Sequence, residues 1–186
     1  MANISAKEQA IRTFHVVTPV IVSPAMLRME KVIELTCSRK DTFFYRGKHK
    51  RIIDHQVISN HRWGKVNGPL LYAVTDQAGT IRYLGKWVSE TALYSRWIRH
   101  DTVHHQESTR NIYLTELDAG RGPLSIWSIS VREIRHLLPE PTKLLSEKEI
   151  ATGLEALWIK RWHLDLLWNN KDEPVPIGFK DGEFWL

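Results

Sequence analysis

Between the break at Asn67-Gly68-Pro69 and the polar stretch opening at Ser89, the chain carries two short strand-like runs. Leu70 to Thr75 and Thr80 to Gly85 are rich in apolar, aromatic and β-branched residues. The loop Asp76-Gln77-Ala78-Gly79 between them supplies the glycine that a tight reversal needs, so the pair reads as a β-hairpin. A helix is expected next, capped by Ser89 or by Thr91 and running to about His100. Ile112 to Leu117 is a further helical stretch, and Gly120-Arg121-Gly122-Pro123 breaks the chain. Leu124 to Val131 reads as a third strand. Pro139 to Pro141 reads as a linker. Ser146 and Glu149 form a capping box at the start of a long helix, with Ile150, Leu154, Leu157, Trp158 and Leu164 at helical spacing and Trp168-Asn169-Asn170 at its end.

This order of elements predicts an α/β (α+β) fold, a small antiparallel sheet flanked by helices. Residues 1–68 read as a basic N-terminal extension, 69–170 as the core, and 171–186 as a tail packed on it, in one compact domain of 186 residues. Within the extension, Ser5 to Phe14 is a short helix and Val16 to Val22, broken by Pro19, an edge strand at best. Lys31 to Thr36 and Ile52 to Ile58 are two more strands, with a basic turn at Tyr45-Arg46-Gly47-Lys48 between them.

Charge is concentrated in that extension. From Arg39 to Lys65 there are eight basic residues (Arg39, Lys40, Arg46, Lys48, Lys50, Arg51, Arg62, Lys65) against Asp41 and Asp54, a net of +6 where the whole chain carries +5. Such a stretch is either a solvated face or a phosphate-contacting arm, and in the second case Arg46, Lys48, Lys50, Arg51, Arg62 and Lys65 are the contacts. Trp63 and Trp87, each near a lysine, are candidates to touch DNA, whereas Trp158 and Trp162 share a helix face and are expected in the core. No apolar run approaches the roughly 20 residues that span a bilayer, and the first ten residues lack a signal-peptide pattern, so an intracellular (cytoplasmic) protein without membrane partners is expected. Cys37, the only cysteine, excludes an internal disulfide and is expected to be a buried small hydrophobe. His100, His104 and His105 lack the spacing of a tetrahedral zinc site, and Asp76 and Glu90 are not assigned to metal.

Several residues could together cut a phosphodiester. Hydrolysis requires an activated water, neutralised phosphate charge, a stabilised leaving oxygen and in-line alignment. Tyr72 and Tyr83 sit on neighbouring strands, where the hairpin can place both phenols on one face. Arg96 offers a planar fork for a phosphate oxygen, and His100 lies one helical turn on. Glu155 offers a hard oxygen to a divalent ion that keeps most of its waters. Each residue alone would more often be structural; their combination is the signal.

Leu70-Leu71-Tyr72 and Tyr83-Leu84-Gly85, with ten residues between the tyrosines, resemble the two signature motifs of the GIY-YIG nuclease family. Arg96-Trp97-Ile98-Arg99-His100 resembles the arginine helix of its phage homing and restriction members, and Lys86 matches a lysine of its excision-repair members. Glu155 resembles the metal-binding glutamate, and Asn169, or else Asn170, the closing asparagine. The resemblance covers about 100 residues, and the Gly and Ile of the first motif are both leucine here. It implies Tyr72 as general base with its phenol tuned by Lys86 or His100. It further implies that Tyr83 orients water or phosphate, Arg96 steadies the phosphate, Glu155 holds magnesium (or another divalent ion such as manganese), and Asn169 braces the site. The function implied is metal-dependent cleavage of DNA; the compact chain and its basic 39–65 stretch, able to wrap a duplex, favour a restriction-type enzyme on double-stranded DNA, and a site that cuts one strand suggests a homodimer at least on DNA. The alternatives are a structure-specific, phage-encoded or toxin nuclease, a nucleic-acid-binding module with an idle nuclease fold, and a protein-interaction domain.

Overall fold

The computed structural model of the chain describes residues 23–45, 47–58, 69–88, 98–99, 102–103, 107–138, 140–162 and 168–169. The helix expected at 5–14, the strand expected at 16–22 and the tail 171–186 lie outside the described residues. The elements run β1 (Glu30–Tyr45), β2 (Lys48–Val57), β3 (Leu70–Thr75), β4 (Ile81–Trp87), β5 (Ile98–Arg99), β6 (Thr102–Val103), α1 (Glu107–Asp118), β7 (Leu124–Ser130), α2 (Val131–Ile134), a 3-10 turn (Arg135–Leu137), α3 (Glu140–Lys143) and α4 (Glu147–Trp162). Five strands form one antiparallel sheet in the order β2-β1-β7-β3-β4, so the fold is of the α+β class.

The expected hairpin is β3–β4. Asp76 builds its turn: the carboxylate accepts from the Thr80 backbone N–H at 2.9 Å and from Arg82 Nε at 2.7 Å, and Gly79 takes a φ of +82°. β3 is buried along its whole length, as befits a strand between β7 and β4. Alternation sends Leu71 and Ala73 into a layer with Leu84 and the α4 residues Ile150, Leu154, Leu157 and Trp158. Leu70, Tyr72 and Val74 go into the opposite layer with Ile126, Trp87 and the α1 residues Tyr113 and Leu117. Both faces of the sheet are therefore covered. The capping box opens α4 as expected: the Glu149 carboxylate accepts from Ser146 N at 2.8 Å, and Ser146 Oγ accepts from Glu149 N at 3.3 Å.

The strands expected at 31–36 and 52–58 are longer and belong to the same sheet, because β1 pairs with β7 from Glu30↔Ser128 to Leu35↔Leu124. Four other expectations are corrected. Ile98 and Arg99 are not the end of a helix; they pair with Thr102 and Val103 as a short antiparallel ribbon, in keeping with the β-branched Ile98, Thr102 and Val103. Residues 140–143 are helical rather than a linker, since Pro141 falls in a first turn that needs no N–H from it. Cys37 is exposed: a bulge between Leu35 and Cys37 turns it outward, and its thiol donates to Asp54 at 3.1 Å. Trp87 is only 6% exposed and sits in the layer against α1, not on a DNA-facing surface. Trp158 is buried as expected. Among the described residues no helix is long and apolar enough to cross a membrane.

Candidate active site

Tyr72 and Gly85 face each other across β3 and β4. A Cβ placed on Gly85 would lie 2.8 Å from Tyr72 Cε1 and nearer still to Cζ and the phenol oxygen. The phenol end of the ring thus lies against the β4 backbone, a close approach that only glycine allows. Tyr83, two residues earlier and on the same face, stacks on it with ring centroids 5.8 Å apart and planes at 28°. The sequence expectation that one hairpin face holds both phenols is met in this geometry.

Lys86 follows Gly85 and turns to the other face, where its Nζ lies 2.6 Å from Glu155 Oε2 on α4. Glu155 is 8% exposed, in a helix buried from Gly153 through Ile159. A carboxylate this buried requires a cationic partner, and Lys86 provides it. Tyrosine pair and ion pair therefore lie on opposite sides of β4. They still sense each other. Burial foremost, then Tyr83 and Tyr113, a hydrogen bond with Tyr83 and the Glu155 charge together push the Tyr72 phenol well above the usual tyrosine range. This is opposite to the tuning expected from Lys86. The lysine's charge is engaged by Glu155, and burial of the phenol dominates. At neutral pH Tyr72 is a neutral hydroxyl, and Tyr83 is the more accessible of the two.

Asn169 lies at the open edge of β4. Its Oδ1 accepts from Leu84 N at 2.9 Å and its Nδ2 donates to Leu84 O at 2.8 Å, while the Trp168 N–H donates to Arg82 O at 3.0 Å. A side-chain amide thus takes the place of a neighbouring strand at Leu84, between Tyr83 and Gly85. Asn169 holds this edge of β4, and Asn170 lies outside the described residues.

Tyr113 is a residue that sequence reasoning missed. It is fully buried on α1, edge-on to Trp168 with centroids 6.1 Å apart, and shares a layer with Tyr72. Burial and the neighbouring Tyr83 push its phenol well above the usual range. The available signal was the Tyr113–Leu117 spacing, which places both on one helix face.

Arg96 and His100 fall outside the described residues, as do Arg46, Arg62, Lys65, Trp63, Glu90 and the His104-His105 pair. Of the remaining basic candidates, Lys48 is exposed and Lys50 half-buried on β2. Arg51 is already paired at the surface: its guanidinium donates to both Asp118 oxygens, at 2.5 and 2.9 Å, and to Ser38 Oγ at 3.1 Å. Asp76 is a turn-builder, as described above. Among the described residues no group of three or more His, Cys, Asp or Glu gathers in one place. The donor set implied by the resemblance, one carboxylate with waters completing the shell, needs only Glu155. That carboxylate is paired with Lys86 through Oε2, so an ion bound there would have to share or displace the ammonium.

Compared with models of protein families, with curated proteins and with solved structures, the chain matches none.

Proposed function

We propose that this protein is a metal-dependent endonuclease that hydrolyses phosphodiester bonds in double-stranded DNA. The observation that supports this best is the assembly around Gly85: a tyrosine ring against bare backbone, a second tyrosine stacked on it, and a buried glutamate paired with a half-buried lysine on the far side. Plain packing would be served by apolar residues, and a buried charge pair is weak evidence of stability by itself.

In this reading Tyr83, the more accessible phenol, meets water or a phosphate oxygen, and Tyr72 fixes its position. For either phenol to take a proton near neutral pH, a cation must stand close by, because burial favours the neutral form. Arg96 and His100 are assigned to that role and to the phosphate. Glu155 would hold the divalent ion, which when bound supplies charge stabilisation at the leaving oxygen. Asn169 keeps the edge of β4 in place.

A site-specific, restriction-type enzyme is the finer reading, acting as a homodimer because one such site cuts one strand. The intracellular location expected from the sequence suits that role. The deciding experiment incubates the protein with a large unmethylated DNA, with magnesium or with chelator, beside Glu155→Ala. Discrete fragments that vanish with chelator and in the variant support the proposal, and a smear counts against the restriction role. Tight DNA binding without cleavage would favour an idle, DNA-binding nuclease fold, a reading that has the burial of Tyr72 on its side.

A further inference from the structure

Tyr83 reaches the Tyr72 face of the sheet through an irregularity in its strand. Val74 faces Tyr83 across β3 and β4, but Thr75 faces Ile81, so Arg82 is an extra residue on β4. A bulge of this kind re-aims the side chains beside it. In a regular strand Ile81 and Tyr83 would share a face. Here Ile81 lies in the layer against α4, whereas Tyr83 packs on the layer beneath α1 that holds Tyr72. The bulge thus decides which layer the second phenol joins.

Arg82 is held from two sides. Its Nε donates to Asp76 at 2.7 Å within the hairpin turn. Its carbonyl, on the outer edge of the sheet, accepts from the Trp168 N–H at 3.0 Å. Asn169 grips Leu84, so Trp168 and Asn169 bracket Tyr83 between them. The bracket is anchored in turn. The Trp168 ring meets the Tyr113 ring edge-on, with centroids 6.1 Å apart, and packs on the same layer. Tyr113 is fully buried on α1, with Leu117 one turn on in that layer. A negative charge on Tyr83 is felt by Tyr113 and by Tyr72, so the three rings form one cluster.

We propose that Trp168 and Tyr113 are positioning residues of the endonuclease site: pinned by the Tyr113 ring, Trp168 holds the bulge at Arg82 and so keeps the Tyr83 phenol stacked on Tyr72. The inference rests on the endonuclease reading for what Tyr83 does; where Tyr83 sits is read without DNA.

The test compares Trp168→Leu, Tyr113→Leu and Tyr113→Phe with the wild type, all below their melting temperatures. The first reading is carbon NMR of protein labelled at the tyrosine ζ-carbon, with the Tyr83 signal assigned by its loss in Tyr83→Phe. That signal should move in both leucine variants and stay near its wild-type place in Tyr113→Phe, which keeps the ring against Trp168. The second reading is steady-state cutting of duplex DNA with magnesium. Both leucine variants should lose about tenfold in kcat with KM little changed, because a misplaced group costs rate rather than binding, and Tyr113→Phe should cut like the wild type. A packing role alone would lower the melting temperatures and leave the Tyr83 signal and kcat in place, which overturns the inference. If Tyr113→Leu does not fold, Trp168→Leu, a change at a half-buried site, carries both readings, and an unmoved Tyr83 signal there overturns it equally. A Tyr113→Phe as impaired as the leucine variants overturns the ring contact as the means. A wild type that cuts and leucine variants that cut as fast overturn this inference alone. A wild type that cuts no DNA overturns the endonuclease reading, and the assignment to its site with it.

Discussion

A carboxylate with the burial of Glu155 has few stable options, and Lys86 at 2.6 Å supplies one of them. The same oxygen is the one that the proposed function gives to a divalent ion. Lysine and metal would then stabilise it in the same way. Lys86→Met should cost about 3 kcal/mol, because it strands a buried charge. Magnesium should restore part of that loss, so its addition should raise the melting temperature of the variant more than that of the wild type. Equal shifts in the two proteins, read by differential scanning fluorimetry, would mean that Glu155 does not hold the ion. One residue away, Gly85→Ala tests the tyrosine site. The new methyl group has no space beneath the Tyr72 ring, and the ring is not the loose end of a flexible chain. A loss of about 1–3 kcal/mol is expected, with Tyr72 pushed off Tyr83. Urea denaturation reads the first, and the tyrosine signals in near-ultraviolet circular dichroism read the second.

Among the elements, β4 is the most instructive, because its outer edge is completed by a side chain. Asn169 makes both hydrogen bonds that a neighbouring strand would make to Leu84. Asn169→Ala removes two bonds of about 1 kcal/mol each, and Asn169→Asp keeps the acceptor but sets a carboxylate against the Leu84 carbonyl. The aspartate variant should therefore be no more stable than the alanine one, a comparison that thermal melts decide. If aspartate restores wild-type stability, the Nδ2 donor contributes nothing. The strands at 70–75 and 124–130 and the capped helix from 147 were legible in the sequence because period and capping are local signals. Asn169 was legible only through resemblance, since its partner is 85 positions away. The neighbours of Trp87 misled for a related reason. Lys86 suggested an exposed, DNA-facing segment, yet strand alternation sends the lysine toward α4 and the tryptophan into the layer against α1. Helix α1 begins five residues before the expected Ile112, since its first turns are polar and show no apolar stripe.

For the molecule as a whole, what the sequence left open is how distant segments share one sheet. Nothing local announces that β1 lies beside β7, about ninety positions later, or that two layers result and the buried tyrosines fall in one of them. One consequence appears only at this scale. Tyr72 and Tyr113 both lie in the layer beneath α1, and burial raises both phenols well above the usual value of about 10. In the unfolded chain they ionise normally. Below pH 10 both states hold these protons and stability is unaffected. Above it the unfolded state releases protons that the folded state retains, so folding stability falls as pH rises, by up to about 1.4 kcal/mol per pH unit for each tyrosine. Urea denaturation between pH 8 and 11 should show this loss, and Tyr113→Phe should reduce its slope by about half. A slope identical in the variant would mean that the Tyr113 phenol reaches solvent, and that the layer beneath α1 opens far more readily than its packing indicates.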